Sequence, residues 1–234
     1  MHFSHHPAIR SAHPELVAGA VFAHGIHRDV DAEPVVARFE DIARARLAAA
    51  GSESELPEIQ AWRRAFQRMG LKPTQYRCAS EQLLRRLRKE CALPRIHPLI
   101  DVCNAISVAF ATPVAVLDLA HIADWLQVRP ADGSERYLSF GGEIEHPEPG
   151  EVTFVDAAGN AHARRWTHRQ SGLSAVRDAT AGVLIVAEAL HPAAAAELPL
   201  LLAAVQDALS ELWCKPEVVG VLTGESPQLH QPSF

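Results

Sequence analysis

The 234-residue sequence predicts an α+β domain in which helices come first, β-hairpins follow and a last helix closes the chain. Apolar residues recur at helical spacing in the first half, for example over residues 33–49. Short apolar runs separated by turn residues fill the region beyond Pro113. The regular alternation of strands and helices that a doubly wound sheet requires is missing from this pattern.

The first elements are predicted to be one buried strand and two helices. Residues 15–26 form a short apolar run, which favours a buried strand over an isolated helix. A helix is predicted over residues 33–49, where apolar residues recur at helical spacing before Gly51. A second helix is predicted over residues 56–69 and ends before Gly70.

Ser80 is predicted to cap a short basic helix whose first turn holds Glu81. Leucines form one face of this helix, and basic residues form the opposite face. The basic residues are Arg85, Arg88 and Lys89. An ion pair between Arg77 and Glu81 is predicted to position the helix. A further helix, packed against a sheet, is predicted over residues 101–111, with Asp101 pinning a loop by hydrogen bonds.

Beyond Pro113 the pattern changes to strands. Six strands are predicted, over residues 114–117, 125–130, 136–140, 151–156, 161–166 and 182–188. Asp132-Gly133 and Ala158-Gly159-Asn160 are the turn signals between pairs of these strands. A final helix is predicted over residues 198–212, with Pro199 tolerated in its first turn.

The length and the hydrophobic content of 48% are sufficient for one compact core. Residues 1–223 are predicted to form a single domain, and residues 224–234 a loose tail. The amino terminus lacks the features of a secretory signal, and no apolar run predicts a membrane span. Four cysteines without a Cys-x-x-Cys pair indicate reduced thiols, so a cytoplasmic protein is predicted. No oligomeric state is predicted.

Positive charge is concentrated in one part of the chain. The net charge is −6, but residues 61–95 hold ten lysines or arginines and two glutamates, a local charge of +8. The rest of the chain therefore carries −14. This asymmetry favours a local anionic partner such as an RNA backbone and excludes indiscriminate coating of nucleic acid. A solvated helix face is the alternative explanation.

The order and spacing of several motifs resemble the B3/B4 editing domain of the phenylalanyl-tRNA synthetase β-subunit, and especially its stand-alone bacterial relatives. The segments that carry the resemblance are 80–84, 93–104, 112–118, Ala61-Trp62-Arg63, Lys72-Pro73 with Tyr76-Arg77, and 164–169. The resemblance implies a layered β-sandwich with packed helices. It also implies tRNA or aminoacyl-tRNA as the partner, and hydrolysis of a mischarged aminoacyl ester in trans as the activity.

One departure from the family pattern bears on the substrate. The histidine of the synthetase editing pocket falls on Ala115 here, although Pro113 and Asp118 are retained. The smaller side chain enlarges the pocket wall, which predicts a substrate other than tyrosyl-tRNA. The resemblance places the substrate pocket near Asn104, Pro113, Ala115 and Thr180.

Glu188 is the candidate catalytic residue. It closes an apolar strand and follows a Thr180-Ala181-Gly182 segment, an order that matches a strand glutamate of the synthetase domain to within two residues. Its expected role is to orient an amino group or a water. An aminoacyl ester is already activated, so a site can hydrolyse it by positioning water without a strong side-chain base.

The predicted RNA-binding residues form two groups. The first comprises Arg77 and three residues of the basic helix, Arg85, Arg86 and Arg88. In the second, arginines flank Trp166, which is predicted to be an exposed aromatic on which a base can stack. These arginines are Arg164, Arg165 and Arg169. A hairpin edge protected by charge is the alternative for the second group.

Other chemistry has little support in the sequence. Thirteen histidines suggest a metal, but no His-Glu-x-x-His motif occurs, and His2, His5 and His6 lie in a terminus predicted to be mobile. No metal and no cofactor are predicted. Nucleophilic hydrolase motifs are also missing. A non-catalytic module that binds tRNA or an amino acid is the alternative function.

Overall fold

The computed structural model describes residues 1–223 and 226–231. Its helices are α1 (Pro7–Ala12), α2 (Glu33–Ala50), α3 (Pro57–Arg68), α4 (Ala79–Glu90), α5 (Pro98–Phe110) and α6 (Ala194–Leu212). Its strands are β1 (His2–His5), β2 (Val17–His24), β3 (Val114–Asp118), β4 (Trp125–Pro130), β5 (Arg136–Leu138), β6 (Ile144–Glu145), β7 (Val152–Asp156), β8 (Asn160–Arg164), β9 (Arg169–Gln170), β10 (Gly182–Ala189), β11 (Val218–Leu222) and β12 (Gln228–His230). None of the described helices is both long and apolar enough to cross a membrane.

The strands form two sheets. The larger sheet has the order β12-β1-β4-β7-β8-β5-β6, with β9 paired to β8. The smaller sheet has the order β11-β2-β10-β3, and all of its neighbouring strands are antiparallel. Parallel pairing occurs between β1 and β4 and between β5 and β8. Mixed sheets built largely from antiparallel neighbours, together with segregated helices, confirm the predicted α+β class.

The smaller sheet is buried on both faces. Phe22 and Leu184 point from one face into a core shared with Phe154 of the larger sheet. Val21 and Ile185 point from the other face into a second core, which α2, α5 and α6 cover. Successive side chains of a strand alternate between faces, so a strand between two cores must be apolar at every position. The predicted sandwich with packed helices is therefore a stack of three layers.

Helices α3 and α4 extend the core between the sheets and are tied together by a buried carboxylate. Trp62 and Leu84 join that core. Glu81 of α4 is fully buried, and Arg63 donates to its Oε1 at 2.6 Å. The predicted ion pair is confirmed, with Arg77 Nε 3.3 Å from the same oxygen. A buried carboxylate is costly unless it is paired, so these arginines fix the position of α4.

Two helix starts differ from the prediction. The cap residue of α4 is Cys78, and Ser80 lies fully buried inside the helix. Helix α6 begins at Ala194, which places Pro199 inside the helix instead of in its first turn. The alanines of residues 193–196 favour helix and extend α6 towards its start. Buried Leu198, on the same helix, contributes packing that offsets the missing proline hydrogen bond.

Both chain ends are ordered where they are described, which corrects two predictions. His2–Ser4 of β1 pair with Gln228–His230 of β12 and, on the other side, with β4. The terminus predicted to be mobile and the tail predicted to be loose therefore form strands of the larger sheet. Fully buried Phe3 anchors β1 in the core between the sheets. Residues 224–225 and 232–234 of the predicted tail lie outside the described residues.

The contact between α6 and β2 depends on a glycine. A Cβ atom added at Gly19 would lie 2.5 Å from Cδ1 of Leu202, which is itself 3% exposed. We predict that Gly19→Val destabilises the protein by about 1–3 kcal/mol through overpacking. Leu202→Ala in the same chain should recover part of this loss. Chemical denaturation of the two single variants and the double variant measures the coupling; strictly additive effects would contradict the proposed contact.

Candidate functional site

A cavity of about 70 Å³ lies between the two sheets. The smaller sheet contributes β3 and β10, and the larger sheet contributes β7, β8 and the segment that follows β8. The lining residues are Ala79, Pro113, Val114, Ala115, Leu117, Phe154, His162, Ala163, Trp166, Thr167, His168, Arg169, Gln170, Val186 and Glu188. Three predicted site residues from distant parts of the chain, Pro113, Ala115 and Glu188, thus line the same cavity.

The register of the smaller sheet explains this convergence. β3 and β10 are antiparallel, and Ala115 lies opposite Val186. Glu188 is two residues beyond Val186 on the same strand, so both side chains face the cavity. The alternate residues Ile185 and Ala187 face the helices. Glu188 is therefore the charged residue that β10 directs into the core between the sheets.

Glu188 is 2% exposed, and two aromatic side chains satisfy its carboxylate. Nε2 of His5 lies 2.6 Å from Glu188 Oε1, and Trp166 Nε1 donates to the same oxygen at 3.0 Å. A buried carboxylate without such partners would carry a large desolvation cost. Both contacts end on one oxygen, which leaves the second oxygen of Glu188 available to a group in the cavity.

Trp166 is fully buried, so the prediction of an exposed stacking aromatic is wrong. Strand β8 ends at Arg164, and Arg165 and Trp166 adopt left-handed φ angles of 48° and 59°. This turn directs the indole into the core, where it packs edge-on against Trp62 with 5.0 Å between ring centroids. Trp166 is part of the cavity wall instead of an RNA-facing surface.

The arginines around Trp166 separate into a buried residue and two residues at the surface. Arg164 is 5% exposed and donates to Glu145 and Glu151 at 2.7 and 2.9 Å, so it is not available to a phosphate. Arg165 lies over the ring of Tyr76 at 4.8 Å. Arg169 lines the cavity, and its side chain is 41% exposed although it pairs with Glu145.

His168 shows that three of the predicted RNA-binding arginines lie close together. Burial lowers the pKa of His168, and the charges of Arg165, Arg169 and Arg77 lower it further, against a hydrogen bond to the Arg77 carbonyl that raises it. His168 also lines the cavity. Arg77, Arg165 and Arg169 are hereafter the arginine cluster. The Arg77 carbonyl contacts His168 at 2.8 Å, and Arg169 lines the cavity beside it. Guanidinium groups near the cavity suit an anionic group, although Arg77 also pairs with Glu81 and Arg169 with Glu145.

The other predicted RNA-binding arginines lie on α4 and do not line the cavity. Arg88 donates to Glu53 at 2.7 Å, and Arg85 lies 3.6 Å from the same carboxylate. Arg86 pairs with Glu90 one turn along the helix at 2.8 Å. The pairs with Glu53 join α4 to the segment before α3, whereas the pair with Glu90 lies within α4. An RNA-binding role for the three arginines stays a prediction.

Two predicted pocket residues lie elsewhere. Thr180 is buried, accepts a hydrogen bond from the Arg177 amide and donates to Asp118 Oδ2 at 2.6 Å. It thereby links the end of β3 to the segment before β10. Asn104 is half-buried on α5 and does not line the cavity. Asp101, on the same helix, accepts from the Ile96 amide at 2.8 Å and pins the preceding loop as predicted.

The cavity also contains a histidine that sequence reasoning missed. His162 of β8 is fully buried; its Nδ1 lies 2.8 Å from Ser174 Oγ and its Nε2 lies 3.2 Å from Asp156 Oδ2. Burial alone would raise the pKa of Asp156, but hydrogen bonds from His162 and Asn160 outweigh it and hold that pKa well below its usual range. Since Ser174 is fully buried and does not line the cavity, these residues do not form a nucleophilic triad.

Thiol chemistry is also absent from the cavity. Cys78 precedes the lining residue Ala79, and burial raises the pKa of its thiol to about 12. A protonated, buried thiol is not a nucleophile at neutral pH. The polar groups that can act on a molecule in the cavity are therefore Glu188, Thr167, His168, Arg169 and Gln170, and the Thr167 hydroxyl has no hydrogen-bond partner among the described residues.

A solved structure, the crystal structure of an N-terminal fragment of the phenylalanyl-tRNA synthetase β-subunit from Pyrococcus horikoshii, is similar with a TM-score of 0.46 and 11% sequence identity. The alignment covers 94% of this chain and 49% of that one, so this chain spans about half its length. A search of curated proteins found no match. The family model of the B3/4 domain matches residues 61–201, more than half of the sequence, and the chain therefore belongs to the B3/4 domain family.

Proposed function

We propose that this protein is a stand-alone B3/B4 domain that binds aminoacyl-tRNA and hydrolyses a mischarged aminoacyl ester in trans. The observation that carries the proposal is the position of Glu188. Its buried carboxylate is held by His5 and Trp166 in the wall of a cavity whose edge carries the arginine cluster. A charged group of this kind in an otherwise apolar strand costs stability, which favours a functional role over a purely structural one.

The cavity wall supports selection of the amino acid by size. Apolar lining residues, including Ala115, Leu117, Phe154 and Val186, suit an apolar side chain. The volume of about 70 Å³ is roughly half of the 150 Å³ that accommodates benzene in an engineered apolar cavity. A small aliphatic side chain is therefore the expected substrate, and a larger one is excluded because an overfilled cavity costs binding energy.

Glu188 contributes by positioning. Its second oxygen can accept a hydrogen bond from the α-ammonium group of the substrate or from the attacking water. Water attack at the ester carbonyl, followed by cleavage of the bond to the ribose oxygen, releases the free amino acid and the uncharged tRNA. Because the ester is already activated, orientation of water and substrate supplies most of the required rate enhancement.

The arginine cluster supports binding of the tRNA end. Guanidinium groups bind phosphates through charge-assisted hydrogen bonds, which are stronger than neutral ones. Arg169 both lines the cavity and reaches solvent, so a phosphate bound there would place the adjoining ester at the cavity. Binding of this kind weakens as the salt concentration rises.

A non-catalytic binding module is the second candidate function, and one observation favours it. Ala115 occupies the position of the synthetase histidine, and both ring nitrogens of His162, which lines the cavity from β8, already have partners. A cavity that lacks the synthetase histidine can hold an amino acid or an RNA end without reacting with it.

Deacylation of a panel of correctly and incorrectly charged tRNAs tests the leading proposal. We expect selective loss of one mischarged species, and Glu188→Gln should lower its rate at least tenfold because the amide no longer attracts an ammonium group. Glu135→Gln is the matched control, since Glu135 is equally buried but lies outside the cavity. An unchanged rate in Glu188→Gln would remove Glu188 from the mechanism. Intact tRNA binding without any deacylation would favour the binding module.

A second test concerns the arginine cluster. Arg165→Ala and Arg169→Ala should each weaken tRNA binding and reduce the slope of log K against log [salt] by about one unit per lost phosphate contact. Arg38→Ala is the control, because Arg38 is similarly exposed, pairs with Glu211 away from the cavity and is not among the predicted RNA-binding residues. Equal losses in all three variants, measured by filter binding across a salt series, would mean that the cluster has no special role.

A third test addresses the wall at Ala115. Ala115→Leu adds a branched side chain to the cavity, so hydrolysis of the preferred mischarged tRNA should fall at least tenfold while tRNA affinity stays within twofold. Single-turnover deacylation and equilibrium binding separate the two effects. If the variant retains the full deacylation rate, the amino acid is not bound in this cavity.

A further inference from the structure

Three side chains that can ligate a metal ion lie close together beyond the end of β10. Glu58 lies in the first turn of α3, His191 follows β10, and Glu197 lies in the first turn of α6. One candidate metal-binding atom from each residue lies within 4.8 Å of the other two. The residues are separated by up to 139 positions in the sequence, so no local motif signals the cluster.

Two buried atoms in this cluster have no hydrogen-bond partner among the described residues. They are Oε2 of Glu58 and Nδ1 of His191. The two residues are only 2% and 4% exposed. Buried polar atoms are nearly always paired, and an unpaired one marks a strained site or a missing partner such as an ion. The unpaired carboxylate oxygen is independent evidence that a ligand is bound between these side chains.

The neighbouring residues leave the carboxylates of Glu58 and Glu197 able to bind a cation. Arg46 donates to Glu58 Oε1 at 2.6 Å and to the carbonyl of Ala109 at 2.7 Å. This pairing orients the Glu58 carboxylate and leaves Oε2 for another partner, as outer hydrogen bonds do in metal sites. Nε2 of His191 lies 3.0 Å from Glu197 Oε2, and the Glu197 side chain is 42% exposed. An ion therefore has a path from solvent past Glu197.

We propose that Glu58, His191 and Glu197 bind one divalent transition-metal ion of the zinc class. One imidazole and two carboxylates suit Zn²⁺, whereas a site without thiolates does not favour Cu⁺. Metal–ligand bonds of about 2.0–2.2 Å place tetrahedral ligands about 3.4 Å apart, with water in the remaining position. The three atoms lie within 4.8 Å of one another, so adjustments of the side chains are needed to reach this spacing, and the partly exposed Glu197 side chain has room to move.

The ion would join the start of α3 to the turn between β10 and α6. None of the three ligands lines the cavity, so this site is separate from the proposed hydrolytic one. Without the ion, the same residues form only an ion-pair network of Arg46, Glu58, His191 and Glu197. A measurement of whether added metal binds stoichiometrically distinguishes a metal site from ion pairs alone.

Titration of the untagged, EDTA-treated full chain with ZnCl₂ by isothermal calorimetry tests the proposal. We expect one ion per chain and a rise in the melting temperature on binding. Glu197→Gln and His191→Ala should each weaken the affinity at least tenfold. His230→Ala is the matched control, because His230 is also a histidine in a ring contact, with 5.3 Å between its ring centroid and that of His2, but lies outside the cluster.

Each outcome of the titration decides the question. Binding that is lost in Glu197→Gln and His191→Ala but retained in His230→Ala supports the site. Absence of stoichiometric zinc binding, or loss in His230→Ala alone, overturns it. Because Glu197 is partly exposed, its variant folds even if His191→Ala does not. The visible spectrum of the Co²⁺ complex then reports directly whether the metal coordination has changed in Glu197→Gln.

Discussion

Strands β2 and β10 lie in the middle of the molecule, with the larger sheet against one face and α2, α5 and α6 against the other. Residues 18–23 and 183–189 of these strands are buried, and a charged side chain there must find partners within the protein. Glu188 is the charged residue of β10, and its partners come from both ends of the fold. His5 lies on the first strand, and Trp166 lies in a left-handed turn after β8. The order of the amino terminus, the turn and the cavity wall all follow from this constraint.

The distribution of charge along the sequence differs from the distribution of charge on the surface. Several arginines of the basic segment, residues 61–95, pair with acidic residues from other elements. Glu53 pairs with Arg85 and Arg88, and buried Glu40 pairs with Arg95. A run of basic residues can thus serve mainly to satisfy buried carboxylates. The positive potential that reaches the cavity comes instead from the arginine cluster, two members of which lie outside the basic segment.

The histidine of the cavity wall likewise lies on a different strand from the one that the family pattern indicates. Ala115 lacks the histidine expected from the family pattern, but β8 supplies His162 to the same cavity from the opposite sheet. That imidazole is held by Ser174 and Asp156, so it shapes the wall and does not replace a free base. Glu188 thereby becomes the central polar group of the site. The proposed hydrolysis of an activated ester by positioned water does not require a strong side-chain base in such a cavity.

Local patterns in the sequence determined the class of the fold and most of its elements. The strand within residues 15–26, the helices near residues 33–49 and 56–69, and the strand near residues 182–188 are all present, because hydrophobic periodicity reflects which face of an element is buried. The family motifs also identified Pro113, Ala115 and Glu188, which line one cavity.

Only the tertiary structure decided which side chains meet. Burial of Trp166, the contact of His5 with Glu188 and the pairing of β1 with β12 join residues far apart in the chain. The position of Pro199 inside α6, and not in its first turn, likewise depends on packing. Periodicity indicates that a residue is buried, but it does not indicate which residues pack against it. Pairing between distant segments is set by the global packing of the layers, and no local window of sequence contains that information.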